Sequence, residues 1–195
     1  MKIKHKFYAL LALLLLVLSA CSPIVAPAAA ADVSAEIITL EFDISEDMTR
    51  FIFDKDVAYE DGLPADGSSF ITRGYLYEAG TLQESNGVNP DGSPEYPEKV
   101  IGEWICQGYL INDAGHATGG VWVFSTQFFQ LGDEPGAQTL VTTGYELADI
   151  NVAIARAITG GTGDYSTARG QSSQEMLGLN ASEGVNLRVR LEVQQ

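Results

Sequence analysis

Polar and apolar residues alternate with a period of two over much of the chain, and a helical period is nearly absent. The clearest run lies near the C-terminus, where Val185, Leu187, Val189, Leu191 and Val193 alternate with Asn186, Arg188, Arg190 and Glu192. Such a strand buries one face and wets the other. Residues 35–44 (AEIITLEFDI), 139–147 (TLVTTGYEL) and 153–159 (AIARAIT) predict further strands, and 70–79 (FITRGYLYEA) sets Ile71, Arg73, Tyr75 and Tyr77 on one side. Residues 99–111 (KVIGEWICQGYLI) predict a long strand with bulges or bends at Gly102 and Gly108. The first half of 120–131 (GVWVFSTQFFQL) is apolar on both sides, which predicts burial on both faces.

Turn chemistry punctuates these segments. Asp61-Gly62-Leu63-Pro64 and Asp66-Gly67 precede the second strand, and Asn89-Pro90-Asp91-Gly92-Ser93-Pro94 precedes the third. Asn112-Asp113-Ala114-Gly115 reads as the turn of a hairpin. Seven or eight strands joined mostly by short turns predict an all-β antiparallel meander. Closure into a barrel removes its free edges; a two-sheet sandwich is the alternative that the pattern leaves open.

The N-terminus breaks the alternation. Lys2, Lys4 and Lys6 precede an apolar run from Phe7 to Leu18, shorter than the roughly 20 residues that span a bilayer. The run ends at Leu18-Ser19-Ala20-Cys21, which resembles the lipobox of bacterial lipoprotein precursors. That resemblance implies a signal peptide over 1–20, diacylation of Cys21 and an extracytoplasmic, lipid-anchored location. An ordinary signal cleaved after Ala20 or near Ala30 is the alternative. Residues 21–35 are Pro- and Ala-rich and read as a tether, leaving 36–195 as one domain.

Composition narrows the partners. Removing 1–20 takes three lysines and no acidic residue, so the net charge of −15 becomes −18. So acidic a chain is not built for nucleic acid or for an anionic bilayer surface. Cys106 is the one cysteine left beside the lipidated one, so no intramolecular disulfide forms.

Residues 157–171 read AITGGTGDYSTARGQ, which resembles the signature of the allene oxide cyclase and dirigent families. There an Ile-Thr-Gly-Gly-(Ser/Thr)-Gly turn precedes an aromatic residue and a small-Ala-x-Gly segment. Trp104-Ile105-Cys106 on an early strand, and Phe128 to Asp133 ahead of Thr139-Leu140-Val141, fall in the same order, so the likeness spans roughly 36–194. The resemblance implies an eight-stranded antiparallel β-barrel, a homotrimer, no metal or organic cofactor, and a lumen that takes a small apolar or phenolic ligand. It also implies catalysis by enclosure and positioning, as in cyclisation or coupling. The Gly160-Gly161-Thr162-Gly163 stretch lacks the lysine and following helix of a phosphate cradle and reads as a structural turn.

The cyclase Glu-x-Asn pattern falls on Asp43 and Ser45, and Cys106 falls where the cyclases carry a lumen cysteine. Asp43, Ser45 and Cys106 are thus the candidate catalytic residues, and Arg73, Tyr75, Tyr77 and Trp104 the candidate ligand contacts, with Arg73 placed to pair with Asp43 if both point inward. Asp for Glu and Ser for Asn depart from the family pattern and weaken the case for the plant cyclisation itself. Metal chemistry has little to work with: His116 is the one histidine beyond the signal and sits in a turn, and Asp91, Glu95 and Glu98 lack EF-hand spacing. Two functions remain open, a ligand-enclosing barrel and a non-catalytic surface scaffold with a filled interior. An eight-stranded barrel stands at the border between them.

Overall fold

The computed structural model describes residues 37–194. The signal, Cys21 and the tether lie outside the described residues. Eight strands follow one another: β1 (Ile37–Phe53), β2 (Ser69–Glu78), β3 (Val100–Leu110), β4 (Val121–Leu131), β5 (Thr139–Leu147), β6 (Ala153–Gly161), β7 (Arg169–Leu179) and β8 (Val185–Gln194). Each pairs antiparallel with the next, and β1 pairs with β8 from Ile37↔Gln194 to Ser45↔Asn186, which closes the barrel. The fold is the predicted all-β barrel rather than a sandwich.

The parity of β8 fixes what faces inward. Val185, Leu187, Val189, Leu191 and Val193 are all buried, while Arg188, Arg190 and Glu192 turn outward. Phe42 and Ile44 of β1, Leu76 of β2, Trp104 and Cys106 of β3, Phe129 of β4, Leu140 of β5 and Ile158 of β6 complete the apolar interior. Each fully buried Val, Leu or Phe contributes about 1.5–3 kcal/mol, so this ring of side chains carries the fold without a disulfide.

The strand limits depart from expectation in ways the chemistry explains. β1 runs on to Phe53, with a register shift against β2 between Asp47 and Ile52. The polar run Glu46 to Arg50 hides that extension. β7 was not among the segments named from periodicity, because Ser172 and Gln174 point into the barrel and erase the polar–apolar alternation. Burial on both faces belongs to β1, whose residues Phe42 to Asp47 are all buried, and not to β4, where Val121 and Phe124 are exposed. Gly108 is not a bulge: it pairs in regular register with Phe70 and Ser125, and an added Cβ would collide with the Phe124 carbonyl. The β2–β3 register shifts beside Gly102, close to where a bulge was expected.

The segment between β2 and β3, residues 79–99, folds back over the outside of the barrel. Leu82 and Val88 are buried there, and Leu82 packs with Tyr77 of β2 and Leu177 of β7. The glycine signature is structural, as expected. Gly163 has φ +60° and lies against the Ala137 carbonyl, while the Thr162 amide donates to the Thr139 carbonyl (2.8 Å) and the Thr162 hydroxyl accepts from the Thr139 amide (3.1 Å). These contacts lock the β6–β7 turn onto the start of β5.

Candidate functional site

Antiparallel order puts the β1–β2, β3–β4 and β7–β8 connections at one end of the barrel, opposite the glycine signature. At that end the interior opens into a cavity of about 330 Å³. Its walls are apolar: Phe51 and Phe53 of β1, Phe70 of β2, Trp104 and Leu110 of β3, Trp122 and Val123 of β4, and Val185 of β8. Leu63 and Pro64 of one connection and Ala114 and Gly115 of another form the rim. The rim is clasped from outside, because His116 bridges Asp113 (Nδ1 to Oδ1, 2.7 Å) and Asp61 (Nε2 to Oδ2, 2.8 Å) and lies against the Tyr59 ring, tilted by 42° with centroids 4.8 Å apart.

Three buried ionisable side chains reach this apolar space: Glu46, Cys106 and Glu146. Glu46 continues the inward parity of Phe42 and Ile44 and is 6% exposed. Burial raises its pKa above the ordinary value of 4.5; the Thr72 hydroxyl and the Val185 amide, which donates to Oε2 at 2.9 Å, oppose the shift. The carboxyls of Glu146 and Asp47 add to it. Glu46 is therefore biased toward the neutral acid, a form that donates a hydrogen bond and delivers a proton.

Glu146 sits in a different setting. Its Oε1 accepts from the Ser125 hydroxyl and from the Cys106 thiol (3.4 Å), and its Oε2 accepts from the Gln174 amide (3.3 Å). Arg156 lies 3.5 Å away and is buried. The guanidinium also donates to the carbonyls of Gly144 (3.2 Å), Tyr145 (3.0 Å) and Ser125 (3.1 Å), so it is held by backbone as well as by charge. The result is a fixed carboxylate at the inner end of the cavity. Burial, with the Glu146 charge, pushes the Cys106 thiol well above its ordinary pKa. Cys106 is accordingly a protonated thiol in the cavity wall and not an activated nucleophile.

The residues singled out in the sequence divide between two places. Trp104 and Cys106 line the cavity. Asp43, Ser45, Tyr75 and Tyr77 lie on the outer face, beneath the 79–99 segment, because they alternate with inward Phe42, Ile44 and Leu76. Asp43 accepts from the Leu82 amide (2.8 Å) and from Nε of Arg188 (2.9 Å), so the expected Asp43–Arg73 pair is replaced by Asp43–Arg188. Ser45 donates to Asn186 (2.6 Å), Tyr77 to the Gly87 carbonyl (2.6 Å) and Tyr75 to the Gly92 carbonyl (2.9 Å). These contacts fasten the covering segment. Arg73 is half-exposed, with Glu103 at 4.0 Å. Sequence reasoning passed over Glu46, Glu146 and Arg156, although parity marks all three: 42/44/46 in β1, 140/142/146 in β5 and 154/156/158 in β6 share a face.

No protein-family model and no curated protein sequence matches the chain. Solved structures do. The pterocarpan synthase dirigent protein PsPTS1 superposes with a TM-score of 0.55 at 18% identity, over 82% of this chain and 96% of that one. The pterocarpan synthase dirigent protein GePTS1 does so at 0.53 and 17%, over 90% and 98%. A pyocyanin demethylase gives 0.49 and 16%, over 80% and 100%. At these identities the likeness to the two dirigent proteins, each with a TM-score above 0.5, speaks to the fold alone. This chain has the allene oxide cyclase/dirigent-like barrel fold.

Proposed function

We propose that the barrel encloses a small apolar or phenolic molecule at its open end and steers that molecule's cyclisation or coupling. The observation that carries this reading is the interior cavity itself. It is walled by aromatic side chains and ends on a buried carboxyl biased toward its acid form and on a second carboxyl fixed by Arg156. A scaffold with no ligand has no use for an unfilled interior or for buried carboxyls facing it, since both cost stability. Enclosure restricts the ligand's conformations, and Glu46 supplies a proton or a hydrogen bond where charge develops. The protein acts outside the cytoplasm, held to a membrane by a lipid on Cys21, as the N-terminal signal supports. Cys21→Ser is expected to move it from the membrane to the soluble fraction.

The test is ligand capture. The domain beginning at Asp32 is incubated with a cell extract of lipids and phenolics, re-isolated and weighed by native mass spectrometry. A stoichiometric apolar adduct that is lost in a cavity-filling Val123→Trp variant supports the reading. A clean apo mass, with no thermal shift across the extract, counts against it and favours the scaffold.

A further inference from the structure

The charges around the cavity specify the ligand further, on the reading that the cavity is the binding site. Glu46, Glu146 and Glu183 reach its wall, and among the described residues no lysine, arginine or histidine does. Four carboxyl side chains are buried among the described residues, and three of them have an arginine. Asp43 has Arg188 at 2.9 Å, Asp47 has Arg50 at 2.7 Å and Glu146 has Arg156 at 3.5 Å. Glu46 is the fourth. Its partners are the Val185 amide and the Thr72 hydroxyl, with no cation of the described residues at ion-pairing distance. It points inward and lines the cavity, so the 6% of its surface left accessible opens onto that space. A carboxylate taken out of water without a cation is costly, so Glu46 calls for a positive partner that the protein does not supply. We infer that the cavity takes molecules whose apolar body carries a protonated basic nitrogen, which pairs with the Glu46 carboxylate.

Three further features point the same way. Phe51, Phe53, Phe70, Trp104 and Trp122 line the same space, and aromatic ring faces attract a cation. The chain's net charge of −15 sets the cavity mouth in a negative field, which draws cations in and turns anions away. Arg156, the buried cation nearby, is committed to Glu146 and to the carbonyls of Gly144, Tyr145 and Ser125, so it answers neither Glu46 nor an anionic ligand. A neutral donor such as a phenol finds acceptors in the carboxyls and in the Thr72 hydroxyl, but it leaves the charge of an ionised Glu46 without a counter-ion. Burial alone biases Glu46 toward its acid form, and a cation beside it favours the carboxylate. The proton that Glu46 gives up passes to the ligand nitrogen, or to water where that nitrogen arrives already protonated.

Three bicyclic probes of nearly one shape, substituted at the same ring carbon, isolate the effect. Aminoindane carries a cation at neutral pH, methylindane no polar group, and indane carboxylate an anion. Binding is measured by calorimetry on residues 21–195 with Cys21→Ser, which excludes a competing acyl chain. Aminoindane is expected to bind roughly tenfold more tightly than methylindane, the scale of one hydrogen bond to a charged group, with the carboxylate weakest. Glu46→Gln keeps the side chain's shape and an acceptor for the Val185 amide. It is expected to erase the preference while methylindane binds as before. Equal binding of aminoindane and methylindane, or a preference unchanged in Glu46→Gln, overturns the inference while the cavity remains a binding site. If none of the three probes binds, the cavity reading fails and the inference fails with it.

Discussion

Glu46 and Glu146 are both buried glutamates, yet their surroundings assign them opposite roles. Glu146 has Arg156 at 3.5 Å and hydroxyl, thiol and amide donors around it. Removing the cation strands the charge, so Arg156→Met is expected to destabilise the barrel by about 3–5 kcal/mol in denaturant unfolding. Glu46 has no cation, and its raised pKa sets a pH dependence. A carboxyl that holds its proton more tightly when folded favours the native state at low pH. That stability is lost as pH rises from the ordinary glutamate value through the raised one. Glu46→Gln removes the ionisation, so its melting temperature relative to the unsubstituted protein is expected to climb across that window. A constant difference between the two would place Glu46 in water and not in the cavity wall.

At the scale of elements, two connections do work that the strands do not. The 79–99 segment is held by Asp43, which takes both the Leu82 amide and the Arg188 guanidinium while itself fully buried. Asp43→Ala is expected to cost about 1.5–3 kcal/mol, the scale of a hydrogen bond to a charged group, and to speed hydrogen exchange at Leu82 with the barrel strands unaffected. The rim clasp titrates. His116 has its pKa raised by hydrogen bonds to Asp61 and Asp113, whose own values are lowered by the same contacts. The clasp is therefore held while His116 is protonated and is lost as pH rises through its raised value; at the acid end it is lost as Asp61 and Asp113 take up protons. Limited proteolysis in the 54–68 connection is expected to quicken as pH rises through the raised His116 value, and His116→Ala to remove that pH dependence.

The same parity rule explains what could be read in advance at this scale. Strands such as β8 announce themselves because every inward side chain is apolar. β7 does not, because inward Ser172 and Gln174 belong to the polar layer that surrounds Glu146 and Arg156. Asp43 and Ser45 were drawn from a motif match, and the match did not ask which way they face. Alternation from Phe42 and Ile44 turns them outward and brings Glu46 in. Trp104 and Cys106 were legible because one strand carries both on the same inward side.

For the whole molecule, closure and function are linked. Pairing β1 to β8 removes every free edge and leaves an interior large enough for one small molecule. Loops at one end open it, and the glycine signature shuts the other. The chain holds two tryptophans, and both line this cavity. The indole region of an amide-correlation NMR spectrum should therefore show two signals, each reporting on the cavity wall. Titrating the captured ligand is expected to shift both indole signals while the Leu82 and Gly87 amides outside the barrel stay fixed. Indole signals that remain in place while the outer amides move would show that the ligand binds beneath the 79–99 segment, and the account of an enclosing interior would be wrong.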